Sequence, residues 1–239
     1  MNRKPALIGL GLACVLLGER EPQKKVQVTK TEKMDFPAGG TLRLEHSVGE
    51  LTIEGWDQPG AEITTTKSTR AVYSQKEKEK ETKDLDRIQI STELQGNELI
   101  VTTQYPSHVA LPWFTTLDHV EKFDLDYHIE VPRNAKLVIK HDDGEVHIID
   151  VAGNIDASAR QGLIAVSLTG DAPRSIDAKS KIGSVNSDFP GNEKAHELFI
   201  GHTFVAGGAT AAQSLKLRIA YGDLIIGKSF HSEPVPSSR

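Results

Sequence analysis

Only one cysteine, Cys14, occurs among the 239 residues, so no disulfide can form within the chain and its fold must hold through packing and backbone pairing. Charge of one sign is also scarce. The net charge is −5 and the Lys and Arg residues are scattered among acids, so no basic stripe recommends nucleic acid as a partner. The apolar run from Ala6 to Gly18 is 13 residues, short for a membrane-spanning helix. No glycine-rich phosphate loop leads from a strand into a helix, Gly-x-Ser-x-Gly is absent, and no two histidines have the helical spacing of a zinc protease. No cofactor is expected. A hydrophobic content of 38% excludes disorder throughout and allows one sizeable core.

What is there begins with the layout of an export signal: basic Asn2-Arg3-Lys4, the apolar run, then polar Glu19-Arg20-Glu21-Pro22. Residues 1–18 are expected to be a signal peptide, 19–30 a polar tether, 31–230 a single all-β repeat domain, and 231–239 a disordered tail. Cys14 follows Gly11-Leu12-Ala13, which resembles a bacterial lipoprotein box, although Gly11 stands where leucine is usual. Cys14 is therefore the candidate lipidation site. The alternative is cleavage nearer Gly18, which removes it.

A spacing recurs along the rest of the chain. Leu137 and Ile139 lie seven and five positions before Gly144, and Val146 and Ile148 lie two and four after it. Ile155, Ala157, Gly162, Ile164 and Val166 repeat this, as do Leu42, Leu44, Gly49, Leu51 and Ile53, and Leu215, Leu217, Gly222, Leu224 and Ile226. Ile176, Ala178, Gly183 and Val185 fit as well, with Ser187 in the last slot. The recurrence reads as an internal repeat.

Residues two apart share a face of a strand, so each apolar pair marks an inward face. From the fifth position before the glycine to the second after it the offset is odd. A straight strand would put those two residues on opposite faces. For both to point inward the backbone must turn between them, and glycine tolerates the positive φ of such a corner. One unit of strand, corner and strand buries too few aliphatic side chains to offset the ordering of its own backbone, so units must stack. The predicted fold is all-β, a β-solenoid or β-roll of short repeated strands with N-terminal hairpins. A β-sandwich in which each unit is a hairpin is the alternative.

Between and beside the units, Ile88–Thr92 and Leu99–Thr103 flank a turn at Gly96 and read as a hairpin, while the charged stretch from Ser74 to Asp86 reads as a short exposed helix or loop. Between Gly183 and Gly222 a degenerate unit is expected, with Gly207-Gly208 in place of the single glycine. Residues 105–121 do not alternate. Their rings Tyr105, Trp113 and Phe114 either plug one end of the core or stack on sugar.

The segment Gly49 to Asp57 (GELTIEGWD), the strand Ile129 to Pro132 running into the repeats, and Tyr221 to Ile226 (YGDLII) together resemble the bacterial putative-adhesin family, over roughly residues 35–228. The resemblance implies a fold of repeated short strands and an exported or membrane-attached protein. It carries no catalytic residues. The charged stretch and the aromatic segment lie outside the pattern.

For chemistry, His141, Asp143 and His147 are the candidate metal ligands, although solvent-facing positions on a strand would look the same. Asp143, Asp156, Asp177 and Asp223 recur in the units, and a carboxyl pair in a groove would make a polysaccharide-cleaving hydrolase or lyase. An active site breaks regularity, whereas turn and edge residues repeat with the fold. The expectation is a non-catalytic envelope or surface protein, periplasmic or on the cell surface. Its partner would be an envelope component, a glycan or a protein, and it would touch the membrane only through an N-terminal lipid.

Overall fold

A computed structural model describes residues 24–105, 123–196, 200–208 and 211–229. The expected signal peptide, Cys14, Trp113, Phe114 and the C-terminal tail lie outside them. In chain order the strands are β1 (Gln27–Met34), β2 (Thr41–Trp56) and β3 (Ala61–Thr69), then helix α1 (Lys78–Asp86), then β4 (Gln89–Gln95), β5 (Glu98–Gln104) and β6 (Phe123–Pro132). There follow β7 (Lys136–Ile149), β8 (Ile155–Leu168), β9 (Ser175–Ile182), β10 (Val185–Ser187), β11 (Asn192–His196), β12 (Gly201–Gly207) and β13 (Ser214–Lys228). Among the described residues the protein is all-β apart from α1, built as a mixed sheet of 13 strands that ends at β1 and β11 rather than closing. No helix among the described residues is long and apolar enough to cross a membrane.

The centre of the sheet is the parallel series β2, β7, β8, β13. Alternation decides the inward face: Leu42, Leu44, Leu51 and Ile53 of β2 are buried, as are Leu137, Ile139, Val146 and Ile148 of β7, while Arg43 and Thr52, Val138 and His147 in the alternate positions face out. Each long strand turns at its glycine. In the register Gly49 pairs with Gly144, Gly144 with Gly162, and Gly162 with Gly222, so the corners stand in one line. After the corner the chain comes back on itself: the Leu137 amide donates to the Asn154 carbonyl at 2.9 Å, joining the start of β7 to the end of the loop that follows it.

Positive φ is one reason for glycine here, with φ of 119° at Gly144 and 118° at Gly162. Closeness is the other. A β-carbon on Gly162 would come 1.8 Å from the Gly144 carbonyl oxygen, and one on Gly222 would come 1.8 Å from that of Gly162. Each corner carbonyl thus occupies the space left by the next glycine's missing side chain.

Spatial order departs from chain order at the far end. β13 lies between β8 and the pair β9 and β10, its first half bonded to β9 and its second half to β10. The expected degenerate unit between Gly183 and Gly222 is instead an antiparallel hairpin: β12 pairs with β9 and β11 with β12. The side chain of Phe204 from this hairpin and that of Phe189 pack into the core, closing its end. At the near end β5 and β6 share the free side of β2, with the predicted hairpin partner β4 on β5, and β3 and β1 on β6. Leu85 is the buried residue of α1. The stretch expected as a tether reaches into this fold: Lys24 and Tyr73 exchange backbone hydrogen bonds, and β1 starts at Gln27.

Candidate functional site

The segment His141 to His147 straddles the corner at Gly144, and the corner parts its candidate ligands. His141 points into the core at 3% exposure, its Nδ1 lying 2.8 Å from the buried Ser47 Oγ. Burial pushes this imidazole down to about 4, against the upward pull of Asp142 and Asp143, so the ring is neutral at neutral pH. A register shift on β2 serves the contact: His46 takes φ 60° and swings toward Asp142, which lets Ser47 meet His141. His147 is on the outside, with its Nε2 3.0 Å from Glu145 Oε2. Asp143 lines a cavity of about 100 Å³ with Val48, Gly49, Arg70, Phe123, Asp124, Leu125 and Gly144. His141 and His147 thus serve different sides of the strand and do not share a ligand point with Asp143.

That cavity is held by charge. Arg70 Nε donates to Asp124 at 2.7 Å, and Lys25 adds a contact at 3.4 Å. Its volume is well below the roughly 300 Å³ at which pockets for small molecules begin. Tyr105, the described member of the aromatic trio, is half-buried and packs against the core. Nearby, Tyr127 bonds Thr103 at 2.7 Å inside the core, where burial pushes its phenol up to about 12.

Three of the four recurring aspartates are taken up by the fold. Asp156 pairs with Lys216 at 2.9 Å and Asp177 pairs with Arg218. Asp223 accepts from the Ser184 amide and hydroxyl, both at 2.7 Å, which holds its carboxyl below the usual range. With Arg43–Glu98 and Lys140–Glu45, the Asp156 and Asp177 pairs form cross-strand bridges over the strand halves before the corner. On that face each of these four acids has a cation beside it.

The face after the corner is different. Glu50 stands beside Asp126 on β6 and Glu145 on β7, and Thr52 stands between His128 and His147. Burial, Glu50 and Asp124 raise the Asp126 carboxyl, the mark of crowded acids. Farther along, Glu54 stands beside Glu130, and ligand atoms of Glu54, His128 and Glu130 all lie within 4.8 Å of one another. Sequence reasoning missed this group. His128 and Glu130 sit at i and i+2 in a visibly alternating strand, but Glu54 joins them only through the pairing of β2 with β6.

The described residues form an all-β protein of mixed sheet whose outer face crowds acids where β6, β2 and β7 meet after the corner. No protein-family model matches the chain, and no curated protein matches it. Among solved structures it is similar to a "putative cell adhesion protein" of Clostridium sporogenes, at 15% identity over 86% of this chain and 100% of that one, with a TM-score of 0.42. It is also similar to a "putative adhesin" of Bacteroides fragilis, at 10% identity over 84% and 96% with a TM-score of 0.31. A third is a "putative lipid binding protein" of Parabacteroides distasonis, at 11% identity over 85% and 97% with a TM-score of 0.25.

Proposed function

We propose that the protein is an exported, non-catalytic component of the cell envelope, a short β-solenoid that works as an adhesin-like binding or structural module. The observation that carries the reading is the line of corners from Gly49 through Gly144 and Gly162 to Gly222. Stacked strands with aligned corners give flat outer faces of regular side-chain rows, suited to contact with an extended partner. Three of the four recurring aspartates, Asp156, Asp177 and Asp223, are engaged in bridges and a turn, and the cavity that Asp143 lines is too small for a sugar ring in a cleft. The basic, apolar and polar order of residues 2–22 supports export, and Cys14 is the proposed point of lipid attachment.

Cell fractionation of the full chain tests export and anchorage together. Wild type is expected in the envelope, and Cys14→Ala is expected to move it from the membrane to the soluble periplasmic fraction. An unprocessed chain in the cytoplasm would sink the proposal. Glycan-array binding of wild type against Trp113→Ala tests whether the segment with Tyr105, Trp113 and Phe114 stacks on sugar; equal signals would remove that role.

A further inference from the structure

We propose that Glu54, His128 and Glu130 form a surface site for a divalent transition ion of the Zn²⁺ class. The proposal is independent of export and of the adhesin-like reading.

Two strands build the site. His128 and Glu130 flank Ile129, which is fully buried, so the alternation of β6 sends both ligands to the same outer face. Glu54 flanks buried Ile53 in the same way and stands directly beside Glu130 in the parallel register. Both strands lie inside the sheet, β6 between β3 and β2, and β2 between β6 and β7. Their backbones are therefore held from both sides. Ligand atoms within 4.8 Å of one another need only small side-chain rotations to meet an ion at about 2.0 to 2.2 Å.

The two ligand carboxylates have no salt-bridge partner among the described residues. Glu62, Glu130 and Glu54 stand side by side on β3, β6 and β2. Lys33 Nζ pairs with Glu62 at 2.9 Å and reaches Glu130 only through space. Among the described residues Glu54 and Glu130 have no ion pair or side-chain hydrogen bond. This is unlike the strand halves before the corner, where Glu98, Glu45, Asp156 and Asp177 each have a cation. Like charges directly opposite on neighbouring strands destabilise a sheet, and a bound cation reverses the sign of that contribution.

Donor chemistry narrows the ion. One imidazole nitrogen with two carboxylates suits Zn²⁺ or a first-row neighbour, whereas Ca²⁺ and Mg²⁺ favour all-oxygen shells. Three protein ligands leave a coordination position open. Because His128 is exposed, that position faces solvent, where water or a donor from a partner can fill it.

The test is isothermal titration of the chelator-treated full chain, made without a histidine tag, with Zn²⁺ alone. Binding of a single equivalent is expected. His128→Ala and Glu130→Gln should each weaken it by about tenfold or more. His147→Ala, a neighbouring outer-face histidine, should leave it unchanged, and Ca²⁺ should not compete. Without metal, Glu130→Gln should raise the melting temperature by relieving the Glu54 contact, a readout that also verifies folding. No uptake of Zn²⁺ by the wild type, uptake insensitive to His128→Ala, or loss with His147→Ala would overturn the assignment.

Discussion

The carbonyl oxygen of Gly49 occupies the place where a side chain of Gly144 would begin: a β-carbon built on Gly144 would lie 2.0 Å from it. The contact is backbone to backbone, so no side-chain rotation can relieve it.

Gly144→Ala must therefore displace a ladder strand in addition to straining a φ of 119°. A loss of about 3 kcal/mol or more is expected. Gly96→Ala is the comparison. Its φ is 62° with nothing within 4 Å, and it should cost only about 1 to 2 kcal/mol. Urea unfolding of both variants measures the difference; equal losses would mean that close approach at the corner contributes nothing.

His141 predicts a pH dependence. Its folded pKa is lowered to about 4, below the ordinary value of 6.5. Between those values the unfolded chain takes up a proton that the folded chain refuses, so the contribution of His141 to stability falls as pH drops from about 6.5 to about 4. Outside that window the contribution is level. The full swing is at most about 3 to 4 kcal/mol. Other groups titrate as well, so the quantity to measure is the difference between wild type and His141→Gln in urea titrations across the window. A constant difference would refute the account.

β13 is the last described strand of the chain, yet it is bonded on both sides, to β8 and to β9 with β10. Hydrogen exchange should show its amides among the slowest, opening only with global unfolding. Leu217, fully buried in the first half of β13, should cost about 2 to 5 kcal/mol when changed to Ala. Fast exchange across residues 215–226 would contradict the observed order of strands.

The bridge Lys216–Asp156 is half exposed on both sides, at 57% and 50%. Lys216→Ala should change stability by less than about 1 kcal/mol. A larger loss in chemical denaturation would show that the cross-strand bridges are coupled as a network.

Much of this architecture was legible in local pattern. The apolar pairs around Gly49, Gly144, Gly162 and Gly222 forecast inward faces and corners, because strand alternation has a fixed period and an odd offset forces a turn. The hairpin of β4 and β5 followed from Gly96 between two alternating runs. The hairpin of β11 and β12 was mistaken for a further unit, since Phe204 and Gly207 supply the same residue types whether the strand runs parallel or antiparallel to β9.

The amino-acid sequence by itself determined which side chains face inward and where the backbone turns, since both depend on residues a few positions apart. Tertiary structure decided which units became neighbours. Units of nearly equal pattern can pair in many orders, and the folded chain places β13 beside β8 rather than at the end of the series. It also decided the acidic face. His141 and His147 are close in sequence and parted by a corner, whereas Glu54 and His128 are 74 positions apart and brought together by a ladder of backbone hydrogen bonds that carries no mark in either segment.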